Sequence, residues 1–201
     1  MKTSLFFAAG MLITAIATGQ NQELKTIVVT PPVFKSDVSK TINEFLQKNV
    51  EYPAEARKWN DRGTEVIQFV VTPEGKLTEF TVLNSVSADI DKDVIRVLEA
   101  TSGNWIPGTI NGKPVSMETE VSMAFMLNPN DDFVEMAKRN MNKGNELLFL
   151  KNQPKKALKF FDYAINFLPG NETIHGIRGL CKYQMGDEKG ASRDWERANI
   201  L

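Results

Sequence analysis

The chain has 201 residues and a formal net charge of -1, with 24 Lys and Arg against 25 Asp and Glu. This length suits one medium domain or two small ones, and the balanced charge gives no indication of a nucleic-acid partner. A single cysteine, Cys181, excludes an intrachain disulfide, and a single histidine, His175, argues against a metal cluster of His and Cys ligands. We therefore expect no catalytic, cofactor-binding or metal-binding residues and no enzyme activity.

The first residues have the layout of a secretory signal. Lys2 precedes an apolar run over 5–18, and the run ends in small residues before the polar Gln20. The run is about 14 residues long, fewer than the roughly 20 that an α-helix needs to span a bilayer. We expect a signal peptide over 1–19 and a periplasmic protein with no membrane span after cleavage. The alternative is an inner-membrane anchor through residues 5–18.

Residues 20–37 are interpreted as an N-terminal extension. The β-branched run over 26–30 is followed by two prolines, which predicts a short edge strand that ends at them. Ser39 is a good N-cap residue and is predicted to start a helix over 40–49.

Alternating and helical hydrophobic periods predict a small α+β domain over 38–128. Its main elements are strands over 65–72 and 77–84, a helix over 89–100 and a last strand over 115–127. A Pro-Glu-Gly-Lys turn joins the first two strands, so a β-hairpin is predicted there.

Beyond residue 128 the hydrophobic period becomes helical. Residues 129–132 are rich in turn formers and are predicted to be a linker, followed by an all-α region over 133–201. Residues in this region repeat at a spacing of 34. The aligned pairs are Ala157 with Ala191, Phe161 with Trp195, Ala164 with Ala198, Asn152 with Gly186, and Phe149 with Tyr183. Paired helices with this period are typical of tetratricopeptide repeats, which residues 133–201 resemble.

The two repeats differ in one detail. Gly144 lies one residue out of register with Gly179, so either the first helix pair holds an extra residue or Asn145 occupies the glycine position. The small residues of such repeats are expected to be buried, so that paired helices pack closely. About three repeats are normally needed for a stable array. The two present here must therefore lean on the first domain, on another copy of the chain or on a partner.

Motifs between Tyr52 and Phe125 occur in an order that resembles the C-terminal domain of TonB, the energy transducer of Gram-negative outer-membrane transport. They are Tyr52-Pro53, Gly63, Gly75, Asp91, Trp105 with Pro107-Gly108, Gly112-Lys113-Pro114-Val115 and the final Phe125. The upstream Pro32-Val33-Phe34 resembles the extension of Bacteroidetes members. The resemblance implies a strand-strand-helix-strand topology with sheet order 2-1-3 and the last strand at an edge. Met123-Ala124 departs from the Pro-Ile that the family usually has before the last aromatic residue.

In the TonB family this edge captures a short peptide of a partner by strand addition. The resemblance therefore implies a peptide-binding edge made of Val115, Ser116, Met117, Glu118, Thr119, Glu120, Val121, Ser122 and Met123. The alternative is a plain edge, which Glu118 and Glu120 protect against unwanted pairing. Trp105, Pro107 and Gly112 are interpreted as structural residues rather than as a binding loop.

We expect a non-enzymatic periplasmic module that binds a protein or peptide, with an outer-membrane transporter among the expected partners. The tetratricopeptide-like repeats are expected to add a second interaction surface. Two alternatives stay open: a membrane-anchored TonB-like transducer or signalling component, and a structural assembly protein that forms homo-oligomers. His175 is expected to have a surface or packing role rather than a catalytic one, and Cys181 is expected to be a small buried apolar residue.

Overall fold

The computed structural model describes residues 27–36 and 41–200. The predicted signal peptide over 1–19, its alternative as an anchor and the predicted cap Ser39 lie outside the described residues. No helix in these described ranges combines the length and the apolar character needed to cross a membrane.

The protein is a mixed α+β structure with short strands in its first part and helices in its last part. In chain order the elements are β1 (Val29–Thr30), β2 (Val33–Phe34), α1 (Ile42–Asn49), α2 (Ala54–Trp59), β3 (Gly63–Val71), β4 (Leu77–Asn84), α3 (Ala88–Glu99), β5 (Trp105–Ile106), β6 (Thr109–Ile110), β7 (Lys113–Pro114), β8 (Met117–Phe125), α4 (Phe133–Asn145), a π-helical turn (Glu146–Leu150), α5 (Pro154–Phe167), α6 (Glu172–Gln184) and α7 (Glu188–Arg197).

These elements belong to two compact units, each built from segments that are distant in the chain. The first comprises the described residues up to Glu51, with Ile67–Leu83 and Lys92–Ser122. The second comprises Tyr52–Val66, Asn84–Asp91 and Met123–Leu201. The predicted linker over 129–132 lies inside the second unit, where the Asp131 carboxylate accepts hydrogen bonds from the backbone N–H groups of Leu127 and Asn128 at 3.0 and 3.2 Å.

In the first unit, the N-terminal extension is paired with the loop that precedes the last strand. β1 pairs antiparallel with β6, which pairs with β7, and β2 pairs antiparallel with β5. The order β1-β6-β7 puts Val29–Thr30 at an edge, as the β-branched run before the two prolines predicted. The pairing brings Phe34 opposite Trp105, and their rings lie 5.5 Å apart between centroids.

Helix α1 begins later than the sequence predicted. Thr41 is its N-cap, because the Thr41 hydroxyl oxygen accepts a hydrogen bond from the backbone N–H of Glu44 at 3.1 Å. This contact satisfies one of the free N–H groups of the first turn, so the helix starts at Ile42.

The predicted β-hairpin is present as β3 and β4, joined by a tight turn at 72–76. The Gly75 N–H donates to the Thr72 carbonyl oxygen at 2.9 Å, and Gly75 has a φ of +74°. A Cβ at this position would collide with the Trp105 carbonyl oxygen, so both the backbone conformation and the close approach require glycine.

The main sheet has three strands in the order β4-β3-β8, which leaves β8 at one edge. β3 is central and buries Ile67, Phe69 and Val71 completely. Trp105 is 7% exposed, lies against Phe69 at 5.3 Å between ring centroids, and donates its indole N–H to the Thr101 hydroxyl at 3.0 Å. These contacts fit the structural role expected for Trp105.

Of the helices α4 to α7, three start at a side-chain cap that local sequence explains, and α5 starts at Pro154 without one. Asp132, Asn171 and Asp187 each accept a hydrogen bond from a backbone N–H three residues later, at 2.9 to 3.0 Å. The helices share a core of small and large apolar residues. Its buried members are Ala137, Leu147, Leu148, Ala157, Phe161, Ala164, Ile165, Ile174 and Cys181.

Candidate functional site

The predicted edge strand is shorter at its start than the sequence indicated. β8 spans Met117–Phe125, so Val115 and Ser116 of the predicted peptide-binding set lie outside it. The reason is local: the Val115 N–H donates to the Gly108 carbonyl oxygen at 3.0 Å and so closes the loop that holds β6 and β7. The other seven predicted residues, Met117 to Met123, all lie on β8.

Side chains alternate strictly along β8. Val121 and Phe125 are buried at 4% and 3% exposure, whereas Glu118, Glu120 and Ser122 are exposed. The strand contains no proline and no residue with positive φ. A nine-residue strand of this regularity offers a straight edge about 30 Å long.

The opposite edge of the sheet is interrupted. Glu79, near the start of β4, has a φ of +54°, and two successive residues, Thr78 and Glu79, are exposed there. A residue in the left-handed region breaks the alternation of a strand and bends it, as a β-bulge does. Edges modified in this way pair poorly with an added strand. Of the two edges of this sheet, only the β8 edge is regular.

The two helical pairs of the second unit show the same packing at equivalent places. Ala157, Ala164 and Ala191 are fully buried and Ala198 is 7% exposed, as expected for the small residues of the repeat. Asn152 and Gly186, which align at the 34-residue spacing, both adopt positive φ, at 50° and 82°. Asn tolerates this conformation better than other side chains do, which explains how it replaces glycine in the first turn.

The register shift of Gly144 is explained by the π-helical turn. A Cβ on Gly144 would meet the Phe161 ring at 2.6 Å, and a Cβ on Gly179 would meet the Trp195 ring at 2.5 Å. The two glycines therefore have the same role, which is to leave room for an aromatic ring. The distance in sequence from Gly144 to Phe161 is one residue longer than that from Gly179 to Trp195. The extra residue lies in Glu146–Leu150, because a π-turn holds one residue more than an α-turn. The first helical pair therefore holds an extra residue, and Asn145 does not occupy the glycine position.

Large apolar side chains are exposed at the end of the first helix of each pair. Leu150 is 81% exposed, Phe149 59% and Tyr183 55%. Phe149 and Tyr183 align at the repeat spacing, so they occupy equivalent positions on the two pairs. Exposed apolar side chains mark a partner-binding site when they form one contiguous patch.

Asp194 on α7 is the centre of a buried ionic cluster that sequence reasoning did not find. Its carboxylate accepts hydrogen bonds from Arg178 Nη2 at 2.6 Å and Nε at 2.9 Å, and Lys182 Nζ lies 2.8 Å away. Burial alone would raise the pKa of Asp194, but hydrogen bonds from His175, Arg178 and Lys182 outweigh it and hold the pKa well below its usual range. The signal in the sequence was the spacing of three basic residues along one face of α6.

His175 belongs to this cluster and has a packing role. Its Nε2 lies 2.7 Å from the Pro169 carbonyl oxygen. Its Nδ1 lies 3.4 Å from Asp194 Oδ1. Cys181 is fully buried, and burial raises the pKa of its thiol to about 11. A thiol in that state is unreactive at neutral pH, so the packing role expected for Cys181 is supported.

Glu65 on β3 is a buried acid that the sequence analysis also missed. It is 1% exposed, its Oε2 accepts a hydrogen bond from the Val86 N–H at 2.9 Å, and its Oε1 has no hydrogen-bond partner among the described residues. Burial, with a smaller contribution from the negative charge of Asp91, raises the pKa of Glu65 to about 8, against the Val86 hydrogen bond that lowers it. Glu65 is therefore mostly protonated at neutral pH.

A polar seam joins the start of β3 to the end of α5 within the second unit. Asn166 Nδ2 donates to the Arg62 carbonyl oxygen at 2.8 Å, and the Thr64 hydroxyl donates to the Phe167 carbonyl oxygen at 2.8 Å. The Asn166 side chain fills the space over Gly63, where a Cβ would lie 2.5 Å from it. The first helical pair therefore contacts a segment of the predicted TonB-like domain. Of the three supports expected for the two repeats, which were the first domain, another copy of the chain and a partner, this contact corresponds to the first.

Comparison with known proteins identifies one part of the chain. Residues 48–127 match the family model described as Gram-negative bacterial TonB protein C-terminal. No curated protein matches the chain. A solution structure of the Helicobacter pylori TonB C-terminal domain is similar at 15% identity and a TM-score of 0.34, covering 45% of this chain and 92% of that one. The chain therefore contains a TonB C-terminal-like domain over 48–127.

Proposed function

We propose that this protein is a non-catalytic binding module of the Gram-negative envelope, which captures an extended segment of another protein by adding it as a strand to β8. The observation that carries the proposal is the edge position of β8 in the order β4-β3-β8, together with its unbroken alternation. An edge of this kind presents a row of backbone N–H and C=O groups that an incoming strand can satisfy.

The proposed envelope location is supported by the match of residues 48–127 to a family named after a Gram-negative protein, and by the signal-like layout of residues 1–19. The same match supports a link to TonB-type transport, with an outer-membrane transporter as one expected partner. The chain has only about 20 residues between the apolar run and the first domain, too few for the long linker of a transducer. We therefore favour a binding module over an energy transducer.

The helical pairs are proposed to be tetratricopeptide-like and to provide a second interaction surface. The exposed side chains of Phe149, Leu150 and Tyr183 support this role. Their exposure would also suit a structural assembly protein, in which the repeats contact another copy of the chain. The two roles differ in whether the mass of the protein in light scattering increases with its concentration.

Selection from a random library of linear decapeptides, followed by amide hydrogen exchange on the bound protein, tests strand addition directly. Along a strand, successive N–H groups point to opposite sides, so an added strand must protect every second amide of Met117–Phe125 and leave the intervening ones unchanged. A selected peptide with a central proline serves as the control, because proline cannot donate to the ladder. Protection in α4–α7 instead would move the site to the helical pairs, and a library without binders would contradict peptide capture.

A further inference from the structure

The connection between the two helices of the first pair exposes two adjacent apolar side chains. The π-helical turn buries Leu147 and Leu148 in the helical core, at 7% and 4% exposure. The next two residues, Phe149 and Leu150, are 59% and 81% exposed. Because the buried pair fixes the turn, Phe149 and Leu150 project into solvent at the end of the pair. We call residues 149–159 the tip.

The tip is strongly basic. Residues 147–161 include four lysines and no acidic residue, whereas the whole chain has a net charge of -1. Lys151 is paired with a glutamate of the π-helical turn, at 2.6 Å between Nζ and the carboxylate oxygen. Lys155, Lys156 and Lys159 are exposed and have no ion-pair partner among the described residues. The tip therefore carries positive charge that its own surroundings do not neutralise.

These lysines oppose the stability of the helix that holds them. Positive side chains near the N-terminus of a helix face the positive end of its dipole, which is unfavourable. α4, α6 and α7 each have a side-chain cap and a glutamate in the first turn, whereas α5 has no side-chain cap and has Lys155 and Lys156 there. Breaks in a local rule of this kind are expected at functional sites. A ligand of negative charge explains the lysines better than the folding of α5 does.

The equivalent part of the second helical pair is neutral. At the 34-residue spacing, residues 147–161 align with residues 181–195, which contain three basic and three acidic residues. The exposed Leu150 aligns with Gln184. The combination of a protruding apolar pair with unpaired lysines therefore belongs to the first pair alone and is not a general property of the repeat.

From these observations we infer that the tip binds the surface of an anionic lipid bilayer. Phe149 and Leu150 enter the boundary between the headgroups and the acyl chains, and Lys155, Lys156 and Lys159 contact the negatively charged headgroups. The inference rests on the envelope location and the second interaction surface proposed above, and it assigns a partner to that surface.

Charge and exposure favour this partner over two others. A second copy of the chain would place the lysines of one tip next to those of the other, and like charges across an interface are unfavourable. An acidic segment of a protein would match the charge. However, Phe149 and Leu150 project outwards, and a bilayer surface admits protruding side chains without a matching groove.

The test places an environment-sensitive nitrobenzoxadiazole dye at the tip of the full chain. Cys181, the natural cysteine, is fully buried, so a thiol-reactive form of the dye labels Leu150→Cys selectively. Vesicles of equal parts phosphatidylcholine and phosphatidylglycerol should raise the emission and shift it to the blue, and vesicles of phosphatidylcholine alone should do so much less. The dye reports the tip itself, so a contact of the apolar run over 5–18 with the vesicles does not produce the signal. The matched label at Gln184→Cys should not respond.

The triple variant Lys155→Gln with Lys156→Gln and Lys159→Gln should bind the anionic vesicles at least about tenfold more weakly, because each lysine near an anionic surface contributes roughly fivefold. Raising the salt from about 0.05 M to about 0.5 M should weaken the unmodified chain in the same direction. The triple variant should unfold in urea no more easily than the unmodified chain, since the lysines oppose the dipole of α5. A purely structural role of the lysines would instead lower its stability.

A control triple variant changes the net charge equally at exposed positions outside the tip and should keep the binding; it carries Lys48→Gln, Lys76→Gln and Lys189→Gln. An equal response of the Leu150 label to both kinds of vesicle, or an equal response at Gln184, would overturn the inference. A response to a poly-glutamate peptide but not to vesicles would also overturn it, and would keep the second interaction surface with an acidic protein segment as its partner. No response to anionic vesicles would overturn the membrane contact and leave strand addition at β8 unaffected.

Discussion

Glu65 is a single residue whose protonation is coupled to the stability of the fold. Its pKa is raised from 4.5 to about 8 in the folded chain. Between these two values the unfolded chain has lost the proton and the folded chain still holds it, so stability falls as the pH rises through this window. Below pH 4.5 both states are protonated and the effect disappears.

Glu65→Gln should therefore stabilise the protein at alkaline pH. The glutamine oxygen still accepts from the Val86 N–H, and no carboxylate has to form in the interior. We expect a gain on the order of 3 kcal/mol in the free energy of unfolding at pH about 8.5, shrinking towards pH about 4.5, measured by urea denaturation. Glu74→Gln, at an exposed turn position, is the control and should leave the free energy of unfolding unchanged at both pH values. A gain in stability that does not vary with pH would contradict a raised pKa of Glu65 in the folded chain.

Asp194 presents the opposite case, a buried acid stabilised in its charged form. Asp194→Asn would leave Arg178 and Lys182, which are 16% and 20% exposed, without their main counter-charge. We expect a loss of about 3 kcal/mol in the free energy of unfolding at neutral pH. Because the pKa of Asp194 is lowered in the folded chain, the contribution is present above the ordinary carboxyl range and is lost as the pH falls below it.

The matched control for this variant is Asp162→Asn. Asp162 also accepts from Arg178, at 3.1 Å, but its side chain is 53% exposed. An exposed ion pair contributes about 1 kcal/mol or less, so this variant should stay close to the unmodified chain in thermal and urea unfolding. An equal loss of unfolding free energy in Asp194→Asn and Asp162→Asn would show that the contribution of Asp194 to stability does not depend on its burial.

At the level of elements, the close helix crossings depend on two glycines. Gly144→Ala and Gly179→Ala would each bring a Cβ into contact with an aromatic ring, at 2.6 and 2.5 Å. Overpacking of this kind should destabilise the protein by about 1 to 3 kcal/mol, which outweighs the better helix propensity of alanine. Circular dichroism during thermal unfolding measures the effect.

Gly170→Ala is the control for both substitutions, since an added Cβ there meets no atom within 4 Å. It should leave the midpoint of thermal unfolding nearly unchanged. If Gly144→Ala were neutral while Gly179→Ala was destabilising, the two helical pairs would not share the packing that the π-helical turn accommodates.

Local signals explain which elements the sequence could predict. The hairpin and α3 follow from alternation, helical period and the glycine turn, all of which are short-range. The start of β8 was misplaced because Val115 has strand propensity, but its N–H is taken by the Gly108 carbonyl oxygen. That hydrogen bond depends on the antiparallel pairing of β6 with β7, which the local sequence pattern does not predict.

Contacts between distant segments account for what the sequence could not predict about the site. Glu65 is visible in the sequence as an acidic residue, but its burial depends on the sheet order. Likewise, the basic residues of α6 converge on Asp194 only once α7 packs against them. The sequence shows which residues are acidic or basic, but it does not show which of them are buried or which of them contact one another.

At the scale of the whole molecule, the polar seam links the start of β3 to the end of α5. Tetratricopeptide repeats usually need about three copies for a stable array, and we propose that residues 62–64 supply support that two helical pairs alone lack. Because the Asn166 side chain bonds to the Arg62 backbone and covers Gly63, the start of β3 and the end of α5 should open together. Segments linked in this way exchange their amide hydrogens as one cooperative unit.

Asn166→Ala should uncouple the two segments. Removing a partly buried amide leaves the Arg62 carbonyl oxygen without its donor, so amide protection should fall by about 1 to 2 kcal/mol both at 63–66 and in the last turn of α5. Asn140→Ala is the matched control, because among the described residues the Asn140 amide bonds only to the Met136 carbonyl oxygen of its own helix, at 2.8 Å. Its effect should stay within α4. Native-state hydrogen exchange that shows loss in α5 alone would mean that the helical pairs are stable without the seam, and that their support must come from another copy of the chain or from the captured partner.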